Sequence, residues 1–190
     1  MRVITGTARG RRLKEPKGRD VRPTTDMVKE SMFNIISNDV PGARVLDLFS
    51  GTGQLGIEAL SRGSGSCTFV DMAPDSLRLT KENLAITGLE ERARVVRSEA
   101  IAFLKRGERF DIILLDPPYD SDLLEKIINF STAFDILNEN GIMVCETRLD
   151  HDLPPKTEEH YEVRRYRYGK ISLAVLRKKN EGTESENGRE

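Results

Sequence analysis

Val45-Leu46-Asp47-Leu48-Phe49-Ser50-Gly51-Thr52-Gly53-Gln54-Leu55-Gly56 passes from an apolar strand pattern through a glycine loop into the helical pattern Ile57-Glu58-Ala59-Leu60. Strand, glycine loop and helix in immediate succession open a doubly wound α/β sheet. Gly51, Gly53 and Gly56 match G-x-G-x-x-G, whose glycines permit unusual φ angles and close backbone approach to a ligand. The next strand pattern, Cys67-Thr68-Phe69-Val70, ends in Asp71, placed to grip ribose hydroxyls. Alone, the pattern also fits a dinucleotide-binding oxidoreductase. Asp47 argues against one, because at the loop entrance it would repel a pyrophosphate and pair with a cationic aminoacyl group.

A second stretch narrows the chemistry. Ile112-Ile113-Leu114-Leu115, led in by Phe110-Asp111, is too short and too β-branched for a helix and reads as a buried parallel strand. It stops at Asp116-Pro117-Pro118-Tyr119. Ligands of open α/β sheets bind outside the carboxyl ends of such strands. Prolines cannot extend the ladder and fix φ, so the carbonyls of Asp116 and Pro117 can point outward in one geometry. A carboxylate and a carbonyl are acceptors, and a planar amino group is a double donor. Tyr119 offers a stacking face for a flat heterocycle. The four residues Asp116, Pro117, Pro118 and Tyr119 are therefore the candidate catalytic set, suited to the amine of a base or a side-chain amide. A cofactor that is cationic and carries both an amino acid and a ribose is S-adenosylmethionine, and the two motifs together point to it.

Working outward, Asp26 is expected to cap a helix from about Met27 to Ser37. Strands are expected at 44–48, 68–71, 94–96, 112–115 and 141–145, with helices over about 54–61, from Pro74 to near Gly88, over 100–104 and over about 123–134. Two final strands, 161–168 and 171–176, flank Gly169-Lys170 and should form a hairpin. The expected fold is α/β and Rossmann-like: a seven-stranded, mostly parallel sheet with an antiparallel C-terminal hairpin, plus a small N-terminal β-hairpin or arm.

The chain of 190 residues carries a net charge of −1 that conceals an asymmetry. Residues 1–22 form a basic arm, with Arg2, Arg9, Arg11, Arg12, Lys14, Lys17, Arg19 and Arg22 against Glu15 and Asp20. Such charge on an extended arm is an electrostatic footprint for nucleic acid, although charge runs also occur as solvated tails. Residues 23–178 make the catalytic domain, and 179–190 read as a disordered acidic tail. A second basic and aromatic cluster, Arg164-Arg165-Tyr166-Arg167-Tyr168-Gly169-Lys170, fits either an RNA surface or the polar face of an edge hairpin. Cys67 and Cys145 fall in buried strand patterns as packed thiols, and His151 and His160 have no ligand spacing, so no metal is expected. No stretch approaches a membrane span and no signal segment opens the chain, so it reads as cytoplasmic.

The sequence resembles the bacterial methyltransferases that modify the exocyclic N2 of a guanine in 16S ribosomal RNA. The similarity runs from Arg2 to Leu176. It is carried by Arg2-Val3-Ile4-Thr5-Gly6-Thr7-Ala8-Arg9-Gly10-Arg11-Arg12-Leu13, by Arg22-Pro23-Thr24-Thr25-Asp26 before Ser31-Met32-Phe33-Asn34-Ile35, and by the two motifs above. The motifs are shared by many amino-directed methyltransferases, including DNA adenine and protein glutamine enzymes; the arm is the narrower signature. The resemblance implies the class I methyltransferase fold, S-adenosylmethionine as donor, and a partly assembled small subunit as the substrate of a monomer. It implies donor contacts at Asp47, Phe49, Gly51, Gly53, Gly56, Asp71, Met72, Glu99 and Ala100, and RNA contacts at Arg9, Arg11, Arg12, Lys14, Arg22 and Thr24. One departure is Glu99, where this class often carries Asp. A non-catalytic RNA-binding module would have no need of Asp116 or Tyr119.

Overall fold

The computed structural model describes residues 1–16, 25–117, 122–149 and 152–179. Strands β1 (Arg44–Leu48), β2 (Ser66–Asp71), β3 (Ala93–Arg97), β4 (Phe110–Leu115), β5 (Leu137–Arg148), β6 (Tyr161–Tyr168) and β7 (Ile171–Lys178) form one sheet in the order β3-β2-β1-β4-β5-β7-β6. The first five run parallel, and β7 is antiparallel to both β5 and β6. The strand order reverses beside β1, which opens a crevice at the carboxyl ends of β1 and β4.

Helices cover both faces. Helices α1 (Asp26–Ile35), α2 (Gln54–Ser61) and α3 (Pro74–Thr87) share one apolar cluster with Val45, Phe69, Leu114 and Val144. Helices α4 (Ala100–Leu104) and α5 (Leu123–Ala133) pack with Leu46, Leu48, Ile113 and Met143 on the other face, and α6 (Thr157–His160) sits against α5 and β6. Alternate residues of each strand thus enter opposite cores, which explains why Ile112-Ile113-Leu114-Leu115 of β4 reads as an unbroken apolar run. Each large side chain buried in this way contributes roughly 1.5–3 kcal/mol.

Gly56 shows how closely α2 lies on the sheet. A Cβ at this position would fall 2.3 Å from Cε1 of Phe69 and 2.7 Å from Sγ of Cys67. Only a residue without a side chain lets α2 approach β2 this closely.

The N-terminal segment is a hairpin, with a bridge between Arg2 and Arg12 and a bond from Val3 N to the Arg11 carbonyl. It lies outside the sheet yet inside the core, because Val3, Ala8 and Leu13 are buried in the cluster that holds α1 and α2. Polar anchors accompany them. Glu58, fully buried on α2, accepts from Ile4 N at 2.8 Å, Thr5 N at 3.0 Å and Arg62 Nε at 2.8 Å. Lys29, fully buried on α1, donates from Nζ to the Arg2 carbonyl at 2.6 Å. Burial pushes the Lys29 ammonium below its ordinary pKa, against the opposing pull of Glu58 and Asp26.

Several boundaries differ from the sequence expectation. Thr25, not Asp26, caps α1: its side chain accepts from Val28 N at 3.3 Å, while Asp26 turns to pair with Arg2 at 3.0 Å. Helix α1 stops at Ile35, and Ile36 bonds back to the Met32 carbonyl. Strand β5 begins at Leu137, earlier than expected, and a register irregularity between Phe110 and Ile112 absorbs the extra residues. Cys67 and Cys145 are buried and unpaired to each other, with burial pushing the Cys145 thiol up to about 12. The expected acidic tail falls outside the described residues except for Lys179, as does His151. Among the described residues no helix is long and apolar enough to cross a membrane.

Candidate active site

Three adjacent strands, β2, β1 and β4, deliver three carboxylates to the crevice. Asp71 is the last residue of β2, Asp116 directly follows β4, and Asp47 lies one residue before the end of β1. The register pairs Leu48 with both Val70 and Leu115, so Asp71 and Asp116 stand at one level on either side of β1. Two strand spacings separate them, roughly 10 Å. Asp47 sits two residues deeper, paired with Phe69 and Leu114, on the α2 side of the sheet.

Asp47 is buried, and its Oδ2 accepts the Gly56 amide at 2.9 Å. Burial is the main force pushing its carboxyl up to about 7; the Gly56 amide opposes the rise, and the charges of Asp116 and Asp71 add to it. Asp47 therefore holds its proton more tightly than an exposed carboxylate does. Asp71 braces the loop by accepting from Gly51 N at 2.9 Å and Ala73 N at 2.8 Å.

The loop between β1 and α2 is held in an uncommon shape. Phe49, Gly51 and Gly53 have φ of 74°, 53° and 78°, and the amides of Phe49 and Ser50 both reach the Val70 carbonyl. For Phe49, which has a side chain, positive φ is a strained state found mostly where function demands it. Helix α3 supports the loop from behind. Thr80 Oγ1 donates to the Gly51 carbonyl at 3.0 Å, and Asn83 Nδ2 donates to the Thr52 carbonyl at 2.9 Å. Asn83 also bonds Lys14 of the arm at both its N–H and its carbonyl, at 2.7 and 3.1 Å.

Of the expected donor contacts, Asp47, Phe49, Gly51, Gly53, Asp71 and Met72 converge on this crevice, with Met72 largely exposed beside Asp71. Gly56 serves the packing of α2 on β2 and gives its N–H to Asp47. Glu99 caps α4, accepting from Ile101 N at 3.0 Å and Ala102 N at 2.7 Å, with Ala100 opening that helix. Asp116 is half-buried and Pro117 buried; Pro118 and Tyr119 lie outside the described residues. So do Arg22 and Thr24. Arg9, Arg11 and Arg12 are exposed and make no ion pair among the described residues, while Lys14 pairs with Glu82 at 2.9 Å. The turn carrying Arg9 packs on Ser61 at the far end of α2, whereas Arg12 and Lys14 lie nearer the glycine loop.

Sequence reasoning missed the supporting residues. Thr80 and Asn83 are fully buried at helical spacing on the apolar side of α3, which was the available signal. It also passed over Ser50 in the loop and Gln54 at the start of α2, both buried, with Oγ and Oε1 lacking a hydrogen-bond partner among the described residues. Native proteins rarely leave such atoms unsatisfied, and at a crevice mouth they call for a polar ligand. Among the described residues no cluster of three or more His, Cys, Asp and Glu is arranged to hold a metal ion.

This strand order and antiparallel hairpin, with the glycine loop after β1 and the Asp-Pro pair after β4, define a Rossmann-like methyltransferase fold. The chain belongs to the family described as "Conserved hypothetical protein 95", whose model matches residues 1–177. It is 40% identical over 183 residues to "Putative rRNA methyltransferase YlbH" of Bacillus subtilis (strain 168), covering 94% of this chain and all of that one. It is 37% identical over 155 residues to "Ribosomal RNA small subunit methyltransferase D" of Escherichia coli (strain K12), covering 81% and 78% of the two chains. The solved structure of "Putative methyltransferase yhhF from Escherichia coli" superposes with a TM-score of 0.81 at 33% identity, over 94% of this chain and 97% of that one.

Proposed function

We propose that the protein transfers a methyl group from S-adenosylmethionine to the exocyclic N2 amine of a guanine in 16S ribosomal RNA. The observation that carries this reading is Asp116-Pro117 at the end of β4, beside a carboxylate-rich glycine loop. Family membership and the names of the relatives support the substrate class.

The crevice suits this donor. Asp47 in a dry, acidic pocket favours a cationic partner and disfavours a pyrophosphate. Asp47 and Asp71 would hold the aminoacyl and ribose groups, and Ser50 Oγ and Gln54 Oε1 would gain the partners they lack. When bound, the donor supplies an activated methyl group on a sulfonium.

A guanine amine delocalises its lone pair into the ring and is a poor nucleophile. Accepting its two hydrogens at the Asp116 carboxylate and the Pro117 carbonyl draws the nitrogen toward sp3 geometry and frees the lone pair. Holding it there supplies orientation, an effect worth roughly 7–11 kcal/mol in well-aligned systems. As the N–C bond forms and the C–S bond breaks, positive charge grows on nitrogen. The Asp116 carboxylate stabilises it until the proton departs. Tyr119 would stack on the base. Reaching a strand end requires an unstacked nucleotide, such as one in a loop.

The arm over residues 1–22 would contact RNA phosphates through Arg9, Arg11 and Arg12, with Lys14 closer to the crevice, and Arg22 and Thr24 would add to these RNA contacts. The substrate would be a partly assembled small subunit in the cytoplasm, met by a monomer. The test is methyl transfer from labelled donor to naked ribosomal RNA, assembled subunits, duplex DNA and protein. Label in a guanine of the small-subunit RNA is expected, and label only in adenine of DNA or in glutamine would overturn the reading. Asp116→Ala should abolish transfer while donor affinity by calorimetry stays near wild type.

A further inference from the structure

The basic and aromatic cluster of β6 does not fall inside the crevice, yet the sheet topology carries its end to the same rim. Strand β6 runs in the direction of β4, so the turn at Gly169-Lys170 emerges on the carboxyl side of the sheet. Leu115 pairs with Cys145, whereas Tyr168 and Ile171 align with Arg148, three residues further along β5. The turn therefore rises roughly 10 Å past the end of β4 and stands two to three strand spacings, roughly 10–14 Å, to its side.

The charges along this strand divide into two groups. Arg164 pairs with Glu162 at 2.8 Å and Arg165 with Glu158 at 3.1 Å, away from the tip. At the tip, Arg167 and Lys170 are exposed and make no ion pair among the described residues. Tyr166 and Tyr168 are half-buried on the face that also bears α1 and the arm. Leu149, 44% exposed, bonds through its N–H to the Lys170 carbonyl. Arg167 projects from one face of β6 and the half-buried Tyr168 from the other, with Lys170 and Leu149 at the turn, so RNA passing over the hairpin end meets both phosphate contacts and a stacking face.

The geometry points to this tip, centred on Arg167, Tyr168 and Lys170, as a second RNA-contacting surface. Resting on the RNA substrate proposed above, it takes the nucleotides on the side of the target base opposite the arm. The arm lies over α2, beside β1 and β2, and the tip lies beyond β5, with Asp116 between them. RNA is thus gripped on both flanks of the crevice, which holds a displaced base open without sequence-specific contacts.

The test measures binding of a small-subunit ribosomal RNA fragment against salt for the full chain, Arg167→Ala/Lys170→Ala, Tyr168→Ala and Tyr168→Phe. Each contacted single-strand phosphate contributes about 0.7 to the slope of log affinity against log salt, so the double variant should flatten it by about 1.4. Tyr168→Ala should weaken binding about 5- to 150-fold with the slope unchanged, and Tyr168→Phe should stay near wild type. Donor affinity should be equal in all four proteins. If the double variant keeps the wild-type slope while Arg9→Ala/Arg11→Ala/Arg12→Ala flattens it, the tip does not touch RNA and this inference falls alone. If the wild type methylates DNA or protein and leaves ribosomal RNA unmodified, the functional reading falls and takes the tip with it.

Discussion

Burial drives the Asp47 carboxyl from an ordinary 3.8 up to about 7, and the sign of its effect on stability follows. Its folded pKa lies above its unfolded one, so the folded chain holds the extra proton between about pH 4 and 7. Stability from this group is complete below pH 4 and is lost as pH rises through 7. Urea unfolding of the donor-free protein should show that decline, and Asp47→Asn should remove it. A cationic ligand favours the carboxylate, so donor binding at pH 6 should release close to one proton. Calorimetry in buffers of different ionisation enthalpy would register this, and Asp47→Asn should abolish it. Release of no proton by the wild type would mean that Asp47 does not meet the cation. At this scale the sequence was informative about residue type and silent about surroundings. Asp47, Asp71 and Asp116 were legible because strand ends are legible. The role of Gly56 was not, because its neighbour Phe69 is thirteen positions away and enters only through packing. Gly56→Ala should cost roughly 1–3 kcal/mol in urea melts while leaving the loop sequence that faces the donor intact.

Elements with a strong local period came out of the sequence close to their true limits: β1, α2, α4, β6 and the start of β7 match within a residue or so. Those without one did not. The strand expected from Gly141 begins at Leu137: Asn140 adopts φ of 60°, yet the backbone continues through it as β5. Helix α6, with four residues, is too short for any periodicity to show. The arm was legible as a hairpin but not as part of the core, because its anchors on α2 lie more than fifty positions away. Glu58 enters the sequence reading only as part of the helical pattern after the glycine loop, and the fold makes it the acceptor for two arm amides and Arg62. Glu58→Ala would leave Arg62, Lys29 and both amides without their acceptor or countercharge, a loss on the order of 3–5 kcal/mol. Equilibrium unfolding should show this, with protease sensitivity rising first in residues 1–13. At Gly6, φ is +87° and an added Cβ would lie 1.8 Å from the Ser61 carbonyl oxygen, so Gly6→Ala should free the arm while sparing the sheet.

Across the whole molecule, charge is sorted by position. The crevice is acidic, Arg12 of the arm and the hairpin tip lie to either side of it, and the turn carrying Arg9 extends to the far end of α2. Replacing Arg9, Arg11, Arg12 and Lys14 by Ala should flatten the salt dependence of RNA binding by up to about three units. Melting should change little, since among the described residues the one ion pair lost is the exposed Lys14–Glu82 pair, and such pairs contribute under about 1 kcal/mol. An unchanged slope would make the arm a scaffold for the glycine loop and shift RNA recognition to the hairpin. Asn83 gives the arm that scaffolding part in any case, since one amide side chain holds Lys14 on one side and Thr52 on the other. Its consequence is thermodynamic linkage. A ligand that orders the glycine loop lowers the cost of ordering the arm, and the converse holds by the same factor. Donor affinity measured with and without RNA, and RNA affinity measured with and without donor, must then change by equal ratios. Asn83→Ala should bring both ratios toward unity together, making the order in which the two ligands arrive immaterial.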